Sequence, residues 1–314
     1  MPHGTSRRRA RTDRRHPLLY AAAASAVLVA ATAGTTVYVK AQAHDAAVLV
    51  SHVASEGGSV SPSPSPSSAP TVDLDTRLAK AVRAAAAGQD GDFAVAVLDV
   101  AGGTGATYAS DDGTYDTASV VKVDVLAALL LQAQDDGRAL TAQEKTYAVA
   151  MIENSDNAAT TALWDTIGGA DGLDAANERL GLSGTSGGDG PLWGLTQTTA
   201  DDQLTLLRQV FGVGDTVLSE ASRAYVQELM GNVAADQRWG ISAAGSVDAA
   251  ALKNGWLQRS TTGLWDINSV GRVEVDGKRY LVAVVSRGSA TKDAGISLVE
   301  SVARAAVGAV SDDG

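Results

Sequence analysis

The chain has 314 residues, enough for one large or two small domains with an ample core, and a formal charge of −11. Residues 1–54 hold seven Lys/Arg against two Asp/Glu, so residues 55–314 carry −16, which argues against nucleic acid or an anionic membrane surface as the ligand. Cysteine is absent, excluding disulfides, thiol catalysis and a lipidated N-terminal cysteine, and the four histidines (His3, His16, His44, His52) all precede any expected folded domain. A histidine metal site or a Ser-His-Asp triad is therefore disfavoured, and a hydrolase built from this chain needs another base.

Six arginines between Arg7 and Arg15 form a basic segment, residues 1–16, ahead of an uncharged stretch from Pro17 to Val39. Twenty-three such residues suffice to cross a bilayer, with the arginines holding the N-terminus in the cytoplasm. Ala41-Gln42-Ala43 also has the form of a signal-peptide cleavage site. The length of the run favours an uncleaved anchor over a cleaved signal or a twin-arginine export signal, and each reading puts the rest of the chain outside the cytoplasm. Residues 40–71 include the Ser/Pro-rich stretch Ser55 to Thr71, read as an extended stalk.

Residues 72–310 read as the globular domain. An amphipathic helix over Asp73 to Ala87 precedes a hairpin of Phe93–Leu98 and Gly105–Ala109, joined through Gly102-Gly103. Val123 to Leu131, apolar except for Asp124, predicts a helix buried nearly all round. Helical patterns follow at Thr141–Ile152, Asn157–Ile167, Gly172–Leu180, Thr199–Phe211 and Ser219–Met230, interrupted by a Gly-rich loop from Leu182 to Thr198. Strands return at Ala251–Leu257, Ile267–Val275 and Arg279–Ser286, the last two joined at Asp276-Gly277, and a helix over Ala294–Val307 closes the chain. Strands at both ends with helices between them imply an α/β fold: a mainly antiparallel sheet flanked by helices, beside an all-helical lobe.

Ser119 and Lys122 stand three apart at the start of the buried helix, so their side chains share a face. Asp116 and Thr117 are expected to cap that helix, with Ser119 in its first turn, where unpaired N–H groups can donate to an oxyanion. A serine hydroxyl needs a base, and burial would lower the lysine pKa enough to make it one. Ser155-Asp156-Asn157 follows at a helix junction and Lys253-Asn254-Gly255 on a strand. Taken singly these are a surface pair, a capping turn and a strand lysine.

In this order, S-x-x-K, S-D-N and K-N-G match the three-part signature of penicillin-recognising serine hydrolases, and residues 72–310 resemble the class A β-lactamase and penicillin-binding protein superfamily. Thr198-Thr199 after the Gly-rich loop and Gln237-Arg238-Trp239-Gly240 ahead of the lysine strand also fit. The resemblance implies Ser119 as acylated nucleophile, Lys122 as its hydrogen-bonded base and Ser155 as proton relay to the leaving nitrogen. Asn157, Lys253, Asn254 and Gly255 would bind substrate, and the N–H groups of Ser119 and Trp256 would form the oxyanion hole. It also implies a monomer acting on a β-lactam or a small peptide resembling the D-Ala-D-Ala stem. No metal or organic cofactor is expected, since nothing resembles a ligand cluster or a phosphate loop.

Three departures stand out. Asn254 replaces the usual threonine or serine, and the path from Ser119 to Ser155 is short. The Gly-rich loop lacks the glutamate that activates deacylating water in efficient class A enzymes; its acid, Asp189, falls elsewhere, and Glu153 near the second motif reads as a surface charge. The resemblance with these departures implies acylation with slow β-lactam turnover; a single-turnover penicillin-binding sensor or scaffold, and a serine esterase, are the alternatives.

Overall fold

The computed structural model describes residues 73–311. The basic segment, the anchor-or-signal stretch and the Ser/Pro stalk lie outside the described residues.

Helix α1, Leu74–Ala85, starts at Asp73, whose carboxylate accepts from the Asp75 N–H. Strands β1, Asp92–Asp99, and β2, Gly105–Ala109, form the expected hairpin. Two-residue strand β3, Tyr115–Asp116, leads through a 3-10 turn, Ala118–Val120, into α2, Val121–Asp135. Then come α3, Ala142–Glu153, opened by a Thr141/Glu144 capping box, α4, Asn157–Ile167, and α5, Gly169–Leu180. The Gly-rich loop ends in β4, Gln197–Thr198, and is followed by α6, Ala200–Phe211, and α7, Glu220–Gly231. Strands β5, Ala251–Gln258, β6, Trp265–Val275, and β7, Lys278–Arg287, precede α8, Lys292–Ser311.

The five long strands form one antiparallel sheet in the order β2-β1-β7-β6-β5, so strands from both ends of the chain pair in its middle. Residues alternate between faces in β1, and both faces are covered. Phe93, Val95 and Val97 pack with Leu78 and Val82 of α1 and Leu298, Val302 and Ala306 of α8. Ala94, Ala96 and Leu98 pack with the helical lobe around α2. Helix α8 is apolar and long enough to cross a membrane by composition, but half of it is buried against the sheet. At Asp276-Gly277 both residues have positive φ, 50° and 76°, the two-residue hairpin geometry that this dipeptide favours.

One expectation is corrected at the start of α2. Neither Asp116 nor Thr117 caps it: the 3-10 turn has no side-chain cap, and the Asp116 carboxylate instead pairs with Arg259 and accepts from Gln197. Asn268 of β6, fully buried, holds the preceding backbone, donating to the carbonyls of Asp116 at 2.8 Å and Thr117 at 2.9 Å. The β3–β4 pairing, Tyr115 with Thr198 and Asp116 with Gln197, ties the end of the Gly-rich loop to the same segment. Two-residue strands carry too little periodicity to be read from sequence.

Candidate active site

The 3-10 turn carries Ser119 to the floor of a cleft of about 690 Å³, lined also by Asn157, Thr161, Leu192, Trp193, Trp256 and Arg259. Ala118, immediately before Ser119, has φ 46°, a left-handed conformation that a side chain adopts only when its surroundings impose it. The constraint includes β5. A Cβ on Gly255 would lie 2.8 Å from both the Ser119 nitrogen and the Thr117 carbonyl, so only glycine lets the strand run this close to the nucleophile's N–H. Trp256, the next residue, lines the cleft with Ser119.

Behind Ser119 sits a polar knot. Lys122 and Lys253 are both 0% exposed. Ser155 Oγ accepts from Lys122 Nζ at 3.0 Å and from Lys253 Nζ at 3.1 Å, bridging the two. Lys122 Nζ also donates to the Ser155 carbonyl at 2.7 Å and to Asn157 Oδ1 at 2.9 Å. Ser155 has φ 56°, which turns its carbonyl and its hydroxyl toward the same lysine. Asp156 caps α4, accepting from the Ala159 N–H at 2.7 Å, so this acid has a structural task.

Burial governs the lysines. Desolvation lowers Lys122 to about 7 against the opposing charge of Asp156, which makes a neutral amine available near neutral pH. Lys253 is lowered well below the usual lysine range by burial and by the charge of Lys122. A desolvated amine near pH 7, hydrogen-bonded to the Ser155 hydroxyl and three residues from Ser119, can accept and return a proton.

The structure brings Ser119, Lys122, Ser155, Asn157, Lys253, Gly255 and Trp256 together, with two differences from expectation. The three donations of Lys122 go to Ser155 and Asn157, so the direct hydrogen bond to Ser119 is not formed in this state. Asn254 is turned out of the cleft: it is fully buried, and its Nδ2 donates to the carbonyls of Gln237 at 2.7 Å and Trp239 at 2.9 Å. The strand's alternation explains this, since neighbouring side chains leave on opposite sides and Lys253 takes the side facing Ser155.

The residue that sequence reasoning left without a role is Trp193. Its ring covers Lys122, with Nζ 4.9 Å from the centroid, and its indole N–H donates to Thr161 Oγ1 at 3.2 Å. Trp164 pins the same loop by donating to the Gly190 carbonyl at 2.9 Å. Asp189 is exposed, and no carboxylate lines the cleft among the described residues. A tryptophan in a Gly-rich loop is a signal of a packed contact, but the contact itself is long-range.

The architecture is shared with solved proteins. A class A beta-lactamase from Bacteroides cellulosilyticus DSM 14838 superposes with TM-score 0.66 at 16% identity, over 77% of this chain and all of that one. PBP-A superposes with TM-score 0.63 at 22% identity, over 76% of this chain and 97% of that one. In sequence, proteins of Mycobacterium tuberculosis and Mycobacterium bovis named "Putative lipoprotein LppW" are 28% identical over 266 residues, 78% of this chain and 83% of theirs. The profile described as "Beta-lactamase enzyme family" matches residues 140–310, from the end of the α2–α3 connection to the last turn of α8, more than half of the chain. With fold and sequence agreeing, the chain belongs to the beta-lactamase enzyme family.

Proposed function

We propose that this protein is a serine hydrolase that works through an acyl-enzyme on Ser119, attacking the amide of a β-lactam or of a small D-Ala-D-Ala-like peptide. The observation that carries the reading is Ser155 Oγ held between two fully buried lysines, Lys122 and Lys253, the first of them three residues along the chain from the cleft serine. Neutral Lys122 takes the Ser119 proton, directly or through Ser155, as Oγ bonds to the carbonyl carbon. The oxyanion is received by the N–H groups of Ser119 and Trp256. As the C–N bond breaks, Ser155 passes its proton to the leaving nitrogen and is reprotonated by Lys122. Water later cleaves the ester and returns the proton to Ser119. Asn157, on the cleft wall, is suited to holding the acyl side chain's amide.

Deacylation is slow in this reading, because Trp193, not a carboxylate, faces Lys122 from the Gly-rich loop. That same observation favours the second reading, a penicillin-binding sensor that acylates once. An extracytoplasmic location is supported by the apolar stretch of residues 17–39 and by the word lipoprotein in the names of the mycobacterial relatives.

The test is a time course of intact mass for the full chain with benzylpenicillin, with Ser119→Ala beside it. A persistent adduct on the wild type, absent from the variant, is expected. A transient adduct with steady release of penicilloate would mean another group activates water. An adduct that survives in Ser119→Ala would overturn the mechanism.

A further inference from the structure

We infer that this cleft does not read a carboxylate on the leaving-group side of the scissile bond, and that its preferred substrate is a neutral ester or amide with an apolar acyl group. The inference rests on the acylation chemistry proposed above and narrows the substrate of that site: a β-lactam or a D-Ala-D-Ala-like peptide is attacked without its carboxylate being read, and a neutral ester or amide is preferred.

The leaving group lies toward Ser155, so an anion attached to it would be received from β5 and β6 or from the lysines. The side-chain nitrogens of Lys253, Asn254 and Asn268 are already engaged. Asn254 is turned away from the cleft, its Nδ2 donating to the carbonyls of Gln237 and Trp239 and its Oδ1 buried, so it offers an anion no donor. Ser269, which faces Asn254 across the β5–β6 register, is fully buried, with its Oγ accepting from the Ile241 N–H at 3.0 Å. Lys253 donates to Ser155 and to the Asn254 carbonyl, Lys122 lies beneath Trp193, and neither lines the cleft.

Among the described residues the cation that lines the cleft is Arg259, and it is ion-paired to Asp116. Asp266, buried beside this pair, adds a second acid, so the cluster as a whole offers an incoming anion no net positive charge. The long-range field points the same way, with −16 on residues 55–314.

The acyl side is different in kind. Pro191, Leu192, Leu195 and Leu257 of the cleft lining offer it an apolar wall, with Leu192 51% exposed at the lip. An apolar acyl chain would cover that leucine, whereas a charged one would be desolvated without a partner. In the reaction the Ser119 Oγ–carbonyl bond forms, the carbonyl bond to the leaving oxygen or nitrogen breaks, and the Ser119 proton ends on the leaving atom. Nothing in that balance calls on a carboxylate.

The experiment compares benzylpenicillin with its methyl ester, and p-nitrophenyl acetate with p-nitrophenyl octanoate, on the full chain. The rate of Ser119 adduct formation is followed by intact mass and nitrophenol release by absorbance. The methyl ester is expected to acylate at least as fast as the free acid within about threefold, and the octanoate about tenfold or more faster than the acetate. Leu192→Asp is expected to remove the octanoate's advantage. A free acid more than about tenfold faster than its ester would overturn the inference while leaving acylation at Ser119 intact. Loss of that preference in Arg259→Gln would then identify Arg259 as the reader. Absence of any Ser119 adduct from all four compounds would overturn both the inference and the acylation reading beneath it.

Discussion

The two walls of the cleft are built on opposite principles. On one side Ser119 lines the cleft, backed by the dense polar knot of Ser155 and the buried lysines and held by positive-φ backbone at Ala118 and Ser155 and by the close approach of Gly255. On the other side the Gly-rich loop presents Pro191, Leu192 and Trp193, which are apolar, and pins itself through Trp164 to the Gly190 carbonyl. The first wall is equipped to move protons and the second to exclude water. Acyl-enzyme formation needs the first wall, whereas its hydrolysis needs a proton acceptor for water on the second, and the contrast predicts fast first and slow second steps.

The largest effect should come from the polar wall. Lys122→Met is expected to slow acylation by about 10²–10⁴, the usual range for a lost general base. In the wild type the rate should fall about tenfold per pH unit below about 7, where Lys122 becomes an ammonium. Stopped-flow acylation between pH 5 and 9 checks both, and a flat profile would remove Lys122 from the base role.

A smaller loss is expected from Gly255→Ala. Its Cβ would meet Ser119 N and Thr117 O at 2.8 Å and push the nucleophile turn away, costing about 10–100-fold in acylation. Crystals of the variant should show the turn displaced, with the lysine–Ser155 knot unchanged.

Trp193→Glu exchanges the character of the second wall. A carboxylate facing Lys122 favours the ammonium, so the acid limb of the acylation profile should move up by about one pH unit. Loss of the ring's cover should also shorten the adduct's lifetime by about tenfold or more. An unchanged lifetime would show that the loop's apolar face is not what protects the acyl-enzyme.

The smallest effect concerns stability. Asp124, two residues from Lys122 on α2, is 1% exposed, and burial raises its carboxyl to about 8. With its amide nitrogen turned toward the acid, Asn177 donates to the Asp124 oxygens at 3.0 and 3.1 Å. A raised folded pKa means that the stability present below the unfolded value near 4 is lost as pH rises toward about 8. Asp124→Asn should therefore gain on the order of 1–3 kcal/mol at pH 8 and nothing near pH 4, measured by thermal melts across that range.

The sequence by itself determined the polar wall. Ser119, Lys122, Ser155 and Lys253 sit in three short motifs whose order along the chain matches a known signature, and period-3.6 and period-2 patterns placed the helices and strands to within a few residues. The buried helix α2 was legible because a run of apolar residues leaves no polar face.

Only the tertiary structure decided the rest, because those contacts join residues far apart in the chain. Asp116 pairs with Arg259 instead of capping α2, Asn268 holds the carbonyls ahead of Ser119, and Trp193 covers Lys122. Asn254 looks into the cleft when read as a motif but turns toward the carbonyls of Gln237 and Trp239 in the fold. A side chain's partner is set by which backbone groups the packed sheet leaves unpaired, and that is a property of three dimensions.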